Sequence, residues 1–222
     1  MLRAVIRPPT KKHTATVIFL HGLGDSGHGW SSIADSLSSS LPHVKFIFPH
    51  APSIPITLNF GMSMPGWYDI FSLENLDKHD EKGLLNSVSQ VNSLISQEIN
   101  QHGISASRIV LGGFSQGAAM SYLTGVTSEL KLGGIIALSG YLPLGNKIST
   151  MVTETSKAVP IFAGHGTADP VVRYEYGTKS VDALKKLGYN VDFKSYRGME
   201  HSSCQQELVD IAQFLAKTIP DA

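Results

Sequence analysis

The chain of 222 residues contains one cysteine, Cys204. A lone thiol excludes an internal disulfide framework and suits a reducing compartment. No stretch approaches the ~18 consecutive apolar residues that a membrane-spanning helix requires. The opening segment MLRAVIRPPTKK has no apolar run of signal-peptide length, and Pro8 and Pro9 interrupt it. Leu2 stands where a myristoylation signal needs glycine, and no cysteine lies near either end for lipidation. Charge is scarce and balanced, with 18 basic and 18 acidic residues and no basic cluster. A phosphate-backbone partner is therefore not expected, so no nucleic acid is assigned. Nine histidines are present, but no H-x-x-x-H or H-E-x-x-H pair falls on a helical segment, so no metal or cofactor is assigned. The expected location is cytoplasmic, with a nuclear pool also allowed.

What the sequence does contain is alternation. ATVIFLHG (15–22), VKFIFPHAP (44–52), RIVLGG (108–113), GGIIALSG (133–140), VPIFAGHG (159–166) and VDFKSYRG (191–198) read as strands. Helical patterns lie between them, at 28–40, 81–103, 115–126, 174–188 and near 203–219. In the second of these Leu84, Leu85, Val88, Val91, Ile95 and Ile99 recur at helical spacing, and Gly103 supplies the stop. Most of the strands are apolar on both faces. That predicts an α/β fold with a mostly parallel central sheet and helices on both of its faces. No repeat or linker interrupts the pattern, so residues 1–222 read as a single domain. Only an irregular apolar insert at about 53–80 breaks the alternation.

Two serines sit in glycine-rich settings. Gly24-Asp25-Ser26-Gly27 imitates the surroundings of the serine in chymotrypsin-like proteases, but position 28 is histidine and every usable acid and base would lie on the wrong side of Ser26. Gly113-Phe114-Ser115-Gln116-Gly117 lies directly between a strand and a helix. This is the G-x-S-x-G elbow, whose strained turn lifts a serine hydroxyl above the sheet at a helix N-terminus. The plainer alternative is a glycine turn with a serine cap, and the strand before and helix after favour the nucleophile. A neutral serine needs a base. Only His165 and His201 follow Ser115; the chain order Ser, acid, His and a place in the loops at the carboxyl ends of strands favour Asp169 and His201 over the weaker acids Asp182, in a helix, Asp192, in a strand, and Glu200, beside the histidine itself. His165 precedes that acid and is expected to support the turn. Gln116, the residue after the nucleophile, donates one backbone N–H to an oxyanion, and HGLGDSG offers the loop for a second donor.

HGLGDSG, GGFSQGAAM, GHGTADPVV and GMEHSSCQQE together resemble the acyl-protein thioesterases, or lysophospholipase-like carboxylesterases, of the α/β-hydrolase fold. The likeness runs in order from about residue 13 to residue 219. It implies a serine hydrolase that cleaves long-chain acyl, typically palmitoyl, thioesters from protein cysteines through an acyl-enzyme. The alternative is a carboxylesterase or lysophospholipase acting on small esters or lysophospholipids. The resemblance places the triad on Ser115, Asp169 and His201, and the oxyanion donors on the backbone N–H groups of Leu23 and Gln116. The partners it implies are S-palmitoylated proteins such as G-protein α subunits or Ras-like proteins, with transient membrane-surface contact and a weak homodimer. The animal members begin with a short cysteine-containing segment that is itself palmitoylated, and this sequence has none.

ITLNFGMSMPGWYDIF (56–71) lacks both period 2 and period 3.6. Half of its apolar residues are expected to fill core. Met62, Met64 and Trp67 are expected to line an acyl groove, since methionine adapts to irregular apolar shapes and each buried methylene contributes roughly 0.8 kcal/mol. Cys204 reads as a small buried packing residue rather than a nucleophile. A non-catalytic binding protein on the same fold and a metal hydrolase are the competing classes, the first disfavoured because all three triad positions are filled.

Overall fold

Strands that bury both faces belong in the middle of a sheet, and that is where this chain puts them. The structure, a computed structural model, describes residues 2–74 and 78–221. Residues 75–77 of the insert lie outside the described residues. Strands β1 (Ala4–Arg7), β2 (Ala15–Leu20) and β3 (Val44–Pro49) come first, followed by a hairpin of β4 (Ser53–Ile56) and β5 (Met62–Pro65). Strands β6 (Ile109–Phe114), β7 (Gly134–Leu138), β8 (Ile161–Gly166) and β9 (Val191–Tyr196) complete the set. Seven strands form one sheet in the order β1-β3-β2-β6-β7-β8-β9. All pair in parallel except β1, which lies antiparallel on β3. The parallel architecture is the expected one. The edge strand β1 was not legible, because AVIR is short and only half buried.

Side-chain alternation divides the core in two. Ala15, Val17 and Phe19 of β2, Val110 of β6, and Ile136 and Leu138 of β7 point to one face. Helices α2 (Ser32–Leu37) and α6 (Gln205–Thr218) cover it with Ile33, Leu37, Ile211 and Leu215. Ile18 and Leu20, Ile109 and Leu111, and Ile135 and Ala137 point to the other face. There they meet α3 (Glu81–His102), α4 (Gln116–Val126) and α5 (Tyr174–Lys186). Every residue of α4 is buried, which makes it the most enclosed helix of the described chain.

Two sequence expectations change. The helix expected over 28–40 is a four-residue turn, α1 (Gly27–Trp30), followed by α2. Tight bonds from the Ser31 N–H to the His28 carbonyl and from the Ala34 N–H to the Ser31 carbonyl bend the chain there. Serine hydroxyls compete for the same carbonyls: Ser31 Oγ–H donates to His28 O and Ser40 Oγ–H to Leu37 O. The insert is not wholly irregular, since β4 and β5 pair antiparallel.

One core group is out of place electrostatically. Glu207, in the first turn of α6, is fully buried, and neither carboxyl oxygen has a hydrogen-bond partner among the described residues. Burial, and then the negative charge of Asp210, push its carboxyl up to about 8. The folded protein therefore keeps a proton that the unfolded chain releases near the ordinary glutamate range. Fewer protons on the unfolded state mean that stability falls as pH rises between that range and about 8. Glu207→Gln should remove this slope. Its stability advantage over the parent, measured by denaturant melts, should grow with pH across the window by at most about 1.4 kcal/mol per pH unit. A difference independent of pH would show that Glu207 ionises normally.

Candidate active site

The carboxyl ends of β2, β6, β8 and β9 converge on Ser115. This residue stands between β6 and α4, at the N-cap of the helix, with φ 55° and ψ −117°, a conformation that residues other than glycine rarely adopt. Its neighbours leave it no other path. A methyl group on Gly117 would overlap the Leu20 carbonyl, and one on Gly113 would overlap the Gly117 backbone. Both flanking glycines of the motif are thus required by close backbone approach. Ser115 N–H donates to Leu138 O at 2.9 Å, which ties the elbow to β7.

Asp169 follows β8 and His201 follows β9. His201 Nε2 lies 3.0 Å from Ser115 Oγ, and its Nδ1 lies 2.7 Å from Asp169 Oδ2. The other carboxylate oxygen, Oδ1, accepts the Val171 and Val172 N–H groups at 2.9 Å each. Burial alone would raise the pKa of this carboxyl. Hydrogen bonds from His165 and His201, the attraction of a charged His201 and the Val171 N–H overcome that and hold it well below the usual carboxylate range. An ionised Asp169 at neutral pH fixes the imidazole with Nδ1 protonated and Nε2 free to take a proton from the serine. His165 supports the turn: its Nε2 lies 2.8 Å from Val172 O and 3.5 Å from Asp169 Oδ2. Phe114, which precedes the serine in the elbow, packs its ring 4.7 Å from that of His201 and 4.8 Å from Trp30. Sequence reading missed both contacts, since nothing in a motif says which ring will face which.

The loop after β2 lies against Ser115. A methyl on Gly22 would stand 3.3 Å from Ser115 Cβ. Beyond Leu23 the chain turns at Gly24, whose φ of 78° suits glycine, and Gly24 N–H donates to Pro65 O at 2.8 Å. Ser26 is no nucleophile here. It caps α1, its Oγ accepting the His28 N–H at 3.3 Å. Gln116 is the first residue of α4, so its N–H is one of the first-turn donors that have no partner within the helix.

The three expected groove residues separate. Met64 is half-buried, with its sulfur beside Gly24. Met62 is 55% exposed near the tip of the β4–β5 hairpin. Trp67 departs from the expectation. At 1% exposure it has no face open to a ligand, and its indole N–H donates to His21 O at 2.8 Å. Its position is that of an anchor, because a buried indole takes the place where its polar edge finds an acceptor. Cys204 is half-buried at the N-terminus of α6 rather than fully buried. Among the described residues no three His, Cys, Asp or Glu side chains are grouped to hold a metal ion, and no helix is long and apolar enough to cross a membrane.

A mostly parallel sheet with β1 reversed at one edge, a serine on a strained strand–helix turn, and an acid and a histidine on the loops after later strands define an α/β-hydrolase. The chain belongs to the phospholipase/carboxylesterase family, which it matches over residues 1–219. It is 52% identical to acyl-protein thioesterase 1 of Neurospora crassa, over 96% of this chain and 90% of that protein. It is 50% identical to acyl-protein thioesterase 1 of Cryptococcus neoformans, over 95% of each. The crystal structure of Zea mays acyl-protein thioesterase 2 is similar with a TM-score of 0.90 and 31% identity, over 99% of this chain and 100% of that one.

The elbow makes a steric prediction that is independent of any substrate. Gly117→Ala should lower the melting temperature and remove reactivity of Ser115 toward a fluorophosphonate. Gly125→Ala, whose added methyl would meet only the side chain of Ile135, should leave that reactivity in place. Wild-type stability and labelling in Gly117→Ala would show that the elbow does not require glycine at this position.

Proposed function

We propose that the chain is a serine hydrolase that removes long-chain acyl groups from S-acylated protein cysteines. The observation that carries this reading is the hydrogen-bonded series Ser115, His201, Asp169 at 3.0 and 2.7 Å, in a chain about half identical to acyl-protein thioesterases. In the reading, His201 Nε2 takes the Ser115 proton as Oγ attacks the acyl carbonyl. The resulting oxyanion accepts the Leu23 and Gln116 N–H groups, aided by the positive end of α4. Collapse breaks the C–S bond, and His201 returns the proton to the departing cysteine sulfur. Water, deprotonated by His201, then attacks the acyl-serine; the ester bond to Oγ breaks, His201 gives the proton to Ser115 Oγ, and the fatty acid leaves. Residues 1–222 act as one domain, a view supported by a sheet that draws strands from Ala4 to Tyr196.

The substrates in this reading are palmitoylated proteins of the cytoplasm or nucleus, G-protein α subunits and Ras-like proteins among them, with a weak homodimer as the assembly. Transient membrane-surface contact has a structural support. Phe60, at the turn before β5, is 96% exposed in a left-handed conformation, next to partly exposed Leu58 and Met62. An apolar ring fully in water at a hairpin tip is unusual in a soluble protein and suits an interface with lipid. The family description, phospholipase/carboxylesterase, is also compatible with a second activity of the same machinery, which we place on lysophospholipids and small esters.

Ser115→Ala should reduce turnover of a palmitoyl-cysteine peptide by roughly 10⁴-fold or more. Near-normal turnover in that variant would remove the acyl-enzyme reading. Comparing kcat/KM for the same peptide and for lysophosphatidylcholine decides between the two substrate classes. Phe60→Ser should leave hydrolysis of a short soluble ester unchanged and lower the rate on a palmitoyl peptide held in vesicles. Equal rates on vesicles would dispose of the membrane role for the tip.

A further inference from the structure

The two backbone donors assigned to the oxyanion come from distant parts of the chain, and the sheet does not hold them together. The last registered pair between β2 and β6 is Leu20 with Gly113. Beyond it one strand enters the loop carrying Leu23 and the other enters the elbow carrying Gln116. The packing of Gly117 on Leu20 O and of Gly22 against Ser115 brings the two loops together, but the gap between the two N–H groups needs a further tie.

The insert supplies it through a buried set of hydrogen bonds. The Gln116 side chain grips the backbone of the insert at both ends of its amide. Its Oε1 accepts the Trp67 N–H at 2.7 Å, and its Nε2–H donates to Tyr68 O at 2.7 Å. Trp67 then reaches the other element, its indole N–H donating to His21 O at 2.8 Å. Ser87 Oγ–H of α3 donates to the Trp67 carbonyl and fixes the middle of the span. His21 is held in turn. Ala51 N–H donates to its Nε2 at 3.0 Å, so the proton is on Nδ1, which donates to Gly22 O at 2.7 Å. Burial keeps this imidazole below its ordinary pKa and favours the neutral form that the pattern needs. Gln116, Trp67, His21 and Ser87 are all buried. With water excluded, each bond has no solvent competitor.

We propose that Trp67 and the Gln116 side chain are positioning residues, a staple that sets the separation of the Leu23 and Gln116 oxyanion donors. The proposal rests on the acyl-enzyme reading above. It assigns the insert a role in transition-state stabilisation. Neither residue's side chain touches the reacting atoms. Their effect passes through the placement of two N–H groups, where an error near 1 Å costs up to about 10²-fold in rate.

Trp67→Phe deletes the indole N–H and keeps an aromatic ring. Gln116→Glu keeps size and replaces the donor facing Tyr68 O with an oxygen. Both should lower kcat on a short soluble thioester by about tenfold to a hundredfold with KM within about twofold. Affinity for a trifluoromethyl ketone of the same chain, which forms an oxyanion with the serine, should fall by the same factor as kcat/KM. Affinity for the matching thioether, which has no carbonyl, should hold. Ser87→Ala, a gentler change, should show the same signature at smaller amplitude if either of the first two does not fold. Unchanged kcat in the folded variants overturns the staple, and so does an equal loss of ketone and thioether affinity. Ser115→Ala is measured alongside. Full turnover there removes the acyl-enzyme reading and the proposal with it, whereas inactive Ser115→Ala with fully active Trp67→Phe removes the staple alone.

Discussion

Everything at the site depends on the contact between Gly117 and the Leu20 carbonyl, where α4 presses on the end of β2 with no side chain between them. The approach forces the chain through a tight turn, and the turn forces Ser115 into a conformation that costs about 1–3 kcal/mol. The turn survives because α4 is buried on all sides. A helix so enclosed cannot move outward to relax a strained residue at its start without opening the core on both its flanks. The hydroxyl stands where it does because packing elsewhere overrides the local backbone preference.

The polar groups around the serine are organised by a similar economy of freedom. A buried carboxylate is costly unless it is fully hydrogen-bonded. Asp169 is bound by two backbone N–H groups on one oxygen and by His201 on the other, with His165 close by. That set does two things at once. It keeps the carboxylate ionised inside the protein, and it leaves one direction in which His201 is free to act, toward Ser115. The ring of Phe114 closes the side of the imidazole and extends an aromatic series through Trp30 to Phe19 in the core. Ser115, His201 and Asp169 are thus held in place by the side chains packed around them.

The insert at 53–80 has two ends with opposite properties. Its hairpin tip puts Phe60 and Met62 into solvent, while Trp67 and Tyr68 a few residues later are among the most buried side chains of the chain. A single stretch therefore joins an exposed apolar tip to the buried hydrogen bonds around Gln116 and His21. The Tyr68 hydroxyl extends that set, meeting the Tyr141 hydroxyl at 2.7 Å beyond β7. An irregular composition in the sequence corresponds here to two environments within a few residues of each other.

The sequence by itself determined the parallel sheet, the elbow serine, and the acid and histidine that follow it in order. Those features are local, because an apolar run flanked by glycine turns reports its own burial, and chain order with loop position singles out Asp169 and His201 whatever the rest of the fold does. The pairing of AVIR at the sheet edge, the ring of Phe114 against His201 and the burial of Trp67 were decided by tertiary structure. Each depends on a partner far away in sequence: β3 for Ala4–Arg7, the loop after β9 for Phe114, and His21 and Gln116 for Trp67. A tryptophan in an aperiodic apolar stretch is suited equally to a ligand wall and to a core. Which of the two it joins is set by whether a buried acceptor waits for its N–H, and only the folded chain brings the His21 carbonyl to it.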